Sequence, residues 1–334
     1  MNLRRAVYFI IASVIIVVLG YFYLKSVSLK SGKTVKSGGP VGDNRESATP
    51  RFVGGKTCAE CHKPEYELWL GSHHGLAMQE ANDGTVLGSF GNTEFDYYGL
   101  KSEFYKRDGG FMVRTDGPDG ELHDYEIKYT FGVYPLQQYL IEFPDGRLQA
   151  LGIAWDSRPR EDGGQKWFHL YPDGKITHAD TIHWTGLDQN WNFMCAECHS
   201  TDLKRNYDLE TNTFKTTWSE IDVSCEACHG PGSEHVKWAE RKNSDEFPNM
   251  GLLVSFDGRK GVNWKIDGES GNAVRSKPLE SHTEIEACSR CHSRRSAISY
   301  DYLYGKSLLD THIPSLLDEG VYYPDGQIEA EDYE

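Results

Sequence analysis

The chain has 334 residues, 38% hydrophobic, 25% charged and 12% aromatic, with 8 Cys and 13 His. This composition excludes a collagen-like or disordered chain and leaves room for one or two domains with a real core. A formal net charge of −15 excludes the clustered basic surface of a nucleic-acid binder, and the thin aliphatic fraction asks for something else to help fill the interior.

Arg4 and Arg5 precede an apolar run from Ala6 to Leu24, whose 19 residues approach the roughly 20 that a helix needs to cross a bilayer. No small-x-small cleavage site follows. Residues 1–25 therefore read as an uncleaved signal anchor, one N-terminal transmembrane helix, with Tyr8, Tyr21 and Tyr23 near its ends as an aromatic belt would place them. Arg4 and Arg5 are opposed by Lys25, Lys30, Lys33 and Lys36, so charge alone does not orient it. Residues 26–50 are rich in Ser, Gly and Lys and read as a flexible linker. Residues 1–50 hold seven Lys/Arg and two Asp/Glu, which leaves −20 on the working domain, 51–334.

All eight cysteines fall in one motif that occurs four times: CAECH at Cys58–Cys61–His62, CAECH at Cys195–Cys198–His199, CEACH at Cys225–Cys228–His229 and CSRCH at Cys288–Cys291–His292. C-x-x-C-H is the attachment motif of c-type haem. Two thiols add to the two porphyrin vinyl groups as thioethers, and the next histidine reaches the iron as proximal ligand. A four-cysteine zinc site from Cys195, Cys198, Cys225 and Cys228, or disulfides in an exported chain, would leave the histidine after every pair unexplained. Four covalently bound haem c groups are the expectation. Such attachment happens outside the cytoplasm, which settles the orientation of the anchor: an inner-membrane, single-pass protein with its haem domain on the periplasmic side.

Nine further histidines, at 73, 74, 123, 169, 178, 183, 235, 282 and 312, could fill distal positions. His74, beside His73, follows the first motif by twelve residues. His183 precedes the second, His235 follows the third after a Gly-Pro-Gly turn, and His282 and His312 flank the fourth. Met78 offers a Met/His alternative. Between the first and second motifs lie 132 residues in which apolar and polar positions alternate between DGG, DGPDG and PDG. These are hairpin signals. They predict about five strands from Phe95 to Asp156, a small antiparallel insert at about 95–160 in a fold that is mainly α with much irregular structure. Only 25 residues separate His199 from Cys225, which predicts that haems two and three are near neighbours.

The runs Trp69-x-x-Ser72-x-His74-x-x-Ala77-Met78, HWTGLDQNWNFMCAECHSTDLKRNYD, VSCEACHGPGSEHVKW and CSRCHSRRS are similar to those of multihaem cytochromes of the cytochrome c-554-like group. The resemblance is strongest to longer members that end in tetratricopeptide repeats, and it runs from about Gly54 to the end. It implies a helical haem-packing fold, electron transfer, and distal histidines at His74, His183 and His235, with His312 favoured over His282 for the fourth. The expected function is a membrane-anchored tetrahaem electron carrier, not an enzyme, between a quinol-linked donor and a periplasmic acceptor. Its acidic surface suits a redox partner with a basic docking patch. The alternative is a reductase or oxidase of a small nitrogen or sulfur oxyanion at a five-coordinate haem, for which Arg294 and Arg295 would be candidate anion-binding groups.

Overall fold

The computed structural model describes residues 49–241, 247–317 and 320–324. Nine strands make one antiparallel sheet. They are β1 (Met78–Glu80), β2 (Thr93–Tyr97), β3 (Leu100–Arg107), β4 (Gly110–Asp116), β5 (Leu122–Phe131), β6 (Leu136–Glu142), β7 (Leu148–Ala150), β8 (Ile153–Asp156) and β9 (Lys166–His169). The order is β2-β3-β4-β5-β6-β8-β9, with β1 added to β5 and β7 to β6. Asp-Gly chemistry closes the β3–β4 hairpin: Asp108 and Gly109 both have positive φ, 53° and 84°, as the tightest two-residue turn requires. The β2–β3 turn uses the same conformation at Tyr98 and Gly99. A tyrosine there gives no hairpin signal, so this strand pair is harder to read from sequence.

Strand β6 shows how the sheet serves two interiors. Gln137 to Ile141 are all buried, so both faces of this strand are covered. Because side chains alternate across a strand, Tyr139 and Ile141 enter one core while Leu140 enters another. The first core is aromatic. Phe104 stacks on Trp167 at 3.6 Å, and Phe90 meets Phe104, Phe111, Tyr139 and Trp167 edge-on at 5.0–5.6 Å. Edge-to-face geometry sets the positive rim of one ring against the negative face of the next. The second core joins Met78, Phe131, Leu140, Leu148 and Ala150 to Trp191, Cys195 and Ala196, and so fastens the second C-x-x-C-H motif to the sheet.

Two expectations are corrected. The fold is not mainly α: 27% of the described residues are strand and 21% helix, and the sheet is nearly closed and barrel-like. The physical reason is that C-x-x-C-H needs one helical turn and no more. The motif helices are Gly55–Ala59, Ala196–His199, Cys225–His229 and Thr283–Ser289, none above 7 residues. The small insert is instead the largest element of the fold, running to His169 and gaining β1 from just after the first motif.

The second correction concerns the membrane. Among the described residues no helix is long and apolar enough to cross a bilayer. The longest helices, Lys63–Leu70 and Ser233–Glu240, have 8 residues, about 12 Å at 1.5 Å per residue against a hydrocarbon core of about 30 Å. The expected transmembrane helix at residues 1–25 lies outside the described residues. The signal anchor, the membrane as partner and the inner-membrane location therefore find no support in this structure. Everything described belongs to the unit Pro50–Glu334, apart from Thr49 of the unit Met1–Thr49.

Phe104 is fully buried, so Phe104→Ala removes the ring that Trp167 stacks on and should cost about 3–5 kcal/mol of stability. Chemical unfolding followed by tryptophan fluorescence checks this, with the half-exposed Leu122→Ala as the control expected to change little.

Candidate functional site

Each motif places its residues by one short turn. In the first, His62 N–H bonds to the Cys58 carbonyl at 2.9 Å; in the fourth, His292 N–H bonds to that of Cys288 at 2.9 Å. The turns are then joined in pairs by side chains from between their cysteines. Glu226 of the third motif, 1% exposed, accepts from the backbone N–H groups of Val53 at 2.9 Å, Gly54 at 2.8 Å and Gly232 at 2.7 Å. Glu220 accepts from that of Gly55 at 2.9 Å. These carboxylates hold the start of the first motif helix against the third motif, and the Cys58 and Cys225 thiols lie close enough to interact.

The second and fourth motifs meet differently. Glu197, inside the second, lies 3.5 Å from Arg290, which is inside the fourth, 3.4 Å from Arg295 and 3.6 Å from Arg205. The Cys198 and Cys291 thiols lie close enough to interact, and Arg295 donates to Cys198 Sγ at 3.7 Å. Cys288 is close enough to Cys228 to add to the burial that pushes the Cys228 thiol up. The second and third motifs are joined through backbone instead. The segment between them folds back as a ribbon, Tyr207–Asp208 on Thr213–Phe214, and Thr201 N–H donates to the Glu220 carbonyl at 3.0 Å. Thiol contacts thus link the motifs in the order one, three, four, two.

Two histidine pairs face each other. His62 and His235 lie with ring centroids 6.1 Å apart and nearly parallel, and His74 and His292 also lie 6.1 Å apart. Two metal–imidazole bonds of about 2.0 Å each, plus about 1.1 Å from each nitrogen to its ring centre, give about 6.2 Å across a shared ion. Both pairs join a motif histidine to one from elsewhere in the chain, and neither joins neighbours in sequence. Burial, then His292 and His73, lowers the pKa of His74 and favours the neutral imidazole that binds metals.

Three histidines are oriented by carbonyls. His199 donates from Nδ1 to Ala77 O at 3.1 Å, His229 to Val254 O at 3.1 Å and His235 to Met250 O at 2.9 Å. A carbonyl only accepts, so Nδ1 carries the proton and Nε2 keeps its lone pair, the arrangement that orients metal-binding histidines. His312 is buried, with Nδ1 on Thr311 Oγ1 at 2.9 Å and Nε2 3.4 Å from the Glu197 carboxylate. His282 is exposed. His183 is placed otherwise: its Nε2 meets Asp116 at 3.0 Å and its Nδ1 meets Thr185 Oγ1 at 2.8 Å, so both nitrogens are engaged within the sheet region. Met78 is fully buried in β1 as part of the second core.

A cavity of about 390 Å³ is lined by Cys195, Cys198 and His199 of the second motif together with Cys291 and Arg295, and by the apolar side chains Phe131, Leu136, Leu170 and Met194. Thioether-forming cysteines and a correctly oriented imidazole on one side, with an apolar wall beside them, suit a flat porphyrin. The zinc reading fares worse. No group of three or more His, Cys, Asp or Glu that could hold a metal ion occurs among the described residues, whereas a haem iron takes only two ligands from protein. Burial pushes the Cys195 thiol up to about 12, away from the thiolate that zinc requires. All eight cysteines are free.

Sequence reasoning passed over Glu197, Glu220, Glu226, Arg205 and Arg290. The usable signal lay inside the motifs, where an acidic x residue in CAECH faces a basic one in CSRCH.

A family model described as cytochrome c554 and c-prime matches residues 57–89 and 166–230. The match takes in the first three motifs, with His74 and His183, and covers less than a third of the chain. It supports a c-type cytochrome with covalently bound haem c and an electron-transfer function. No curated protein and no solved structure matches the chain.

Asp222, ahead of the third motif, has a buried Oδ1 with no partner, and burial together with Glu220 raises its pKa to about 7. The folded protein therefore holds this proton more tightly than the unfolded chain, and stability from this group falls as pH rises from about 4 through 7. Asp222→Asn should raise the melting temperature at pH 8 and leave it nearly unchanged at pH 4. Melts of both proteins across that range measure the difference.

Proposed function

We propose that the chain is a tetrahaem c-type cytochrome that carries electrons, with one haem at each C-x-x-C-H motif. Cys58 and Cys61, Cys195 and Cys198, Cys225 and Cys228, and Cys288 and Cys291 form the thioethers. His62, His199, His229 and His292 are the proximal ligands, His235 completes the iron of the first motif and His74 that of the fourth. His312 is a further distal ligand, supported over His282 by its burial. His183 stays outside the axial set because Asp116 and Thr185 hold both its nitrogens.

The observation that carries this reading is the two imidazole pairs at 6.1 Å, each spaced for one iron and assembled from distant parts of the chain. Bound haem supplies a one-electron ferric–ferrous couple. The residues bring the four attachment points into one contiguous series, and the carboxylate and arginine contacts between motifs keep them there. Such a series needs no substrate pocket.

One observation favours a second reading, a reductase or oxidase of a small nitrogen or sulfur oxyanion. His199 is the one histidine lining the cavity of the second motif among the described residues, and the other lining residues include Phe131, Tyr134, Leu136 and Gln138. A haem attached there with an open distal face would be five-coordinate.

A pyridine haemochrome assay should count four haems per chain; a lower count overturns the tetrahaem reading. Low-temperature EPR separates the two functions, since four low-spin irons leave the enzyme without a site and one high-spin ferric signal favours it. His235→Ala should add a high-spin signal from the first-motif haem. It should add none in a chain already carrying Cys58→Ser and Cys61→Ser, where that haem is missing.

A further inference from the structure

The side chains that join the motifs in pairs carry opposite charge in the two pairs. Between the second and fourth motifs, Arg205 and Arg290 share the single carboxylate of Glu197, and Arg295 approaches it as well. Their side chains are 13%, 11% and 8% exposed, and that of Glu197 is 11% exposed. The remaining contacts of Arg205 and Arg290 are neutral: the Asn192 carbonyl, the Tyr304 hydroxyl and the faces of Phe193, Tyr300, Tyr302 and Tyr304. Of the acids on the fourth motif's helix, Glu284 is paired with Arg259 and Glu286 accepts from Leu308 N–H.

Between the first and third motifs the sign is reversed. Glu226 and Glu220 are held by backbone N–H groups, which satisfy their oxygens without cancelling their charge, and Asp222 lies beside Glu220. The nearby cations Arg51 and Lys56 are exposed.

Reduction adds an electron to the haem, so buried positive charge favours the reduced state and buried negative charge the oxidised one. Every haem c brings the same propionates, so a difference between the pairs falls to the protein. Away from bulk water these interactions are weakly screened. Building on the tetrahaem reading, we infer that the chain is electrostatically divided. The haems of the second and fourth motifs, set among Arg205 and Arg290, have the higher reduction potentials, and those of the first and third, set among Glu220 and Glu226, the lower. An electron on a ferrous iron of the lower pair then passes downhill to a ferric iron of the upper pair, leaving the first oxidised and the second reduced.

The test is a spectroelectrochemical titration of the haem-loaded full chain, with haem counted on the same sample. Two groups of potentials are expected, each with half of the absorbance change. Arg290→Gln should lower the upper group and leave the lower one in place, and Arg290→Lys should restore it. Glu220→Gln should raise the lower group alone. Where Arg290→Gln does not accumulate with four haems, Arg205→Gln replaces it with the same expected direction. Four haems titrating in one wave, or Arg290→Gln and Arg205→Gln leaving the upper group unmoved, would overturn the division while leaving the tetrahaem reading intact. A count below four overturns that reading instead.

Discussion

Glu226 accepts hydrogen bonds from three backbone amides that lie on two other segments of the chain, and much of the site depends on this one carboxylate. A buried charge must be compensated by donors or counter-charges. An acidic residue between two attachment cysteines therefore dictates what packs on that turn. For Glu226 the donors are the N–H groups of Val53, Gly54 and Gly232, and the third motif is drawn onto the start of the first across more than 160 residues. Glu197 solves the same problem with guanidinium groups and draws the fourth motif onto the second. One device, an acid within the motif, thus serves two pairings with different partners.

The sheet supplies the other half of the arrangement. Ala77, just before β1, turns its carbonyl to two tasks: it accepts from Gly132 N–H at 3.0 Å and from His199 Nδ1 at 3.1 Å. The first bond belongs to the closing of the sheet; the second fixes the tautomer of a proximal histidine. Strand β6 has the same double character, with alternate residues in an aromatic interior and in the cluster that holds Cys195 and Ala196. The second motif is accordingly the one built into the sheet.

What could be read from the sequence was what is local. Four motifs, their proximal histidines, and hairpins closed by Asp108-Gly109 and Asp145-Gly146 all depend on residues within a few positions of each other. Two kinds of information were not local. The β2–β3 turn places Tyr98 at positive φ, a conformation its composition does not announce, so the sheet looked smaller than it is. Histidine pairing was the other: His74 and His235 could be picked out, but that they face His292 and His62 follows from long-range packing of turns four to seven residues long. His183 shows the converse limit. A histidine near a motif can be paired with a residue far away in sequence, as His183 is with Asp116, 67 residues away.

The aromatic interior of the sheet, from Phe90 to Trp184, includes no cysteine and no motif histidine. Its cohesion comes from ring contacts and the aliphatic side chains packed among them, Val113, Ile127, Ile141, Leu151 and Ile153. A newly made chain can thus complete this framework, Ala77 carbonyl included, before any thioether exists. The maturation machinery would then meet His199 already turned to receive iron. The second motif thus sits on a finished scaffold, whereas the first, third and fourth are held by the carboxylate and arginine contacts between motifs.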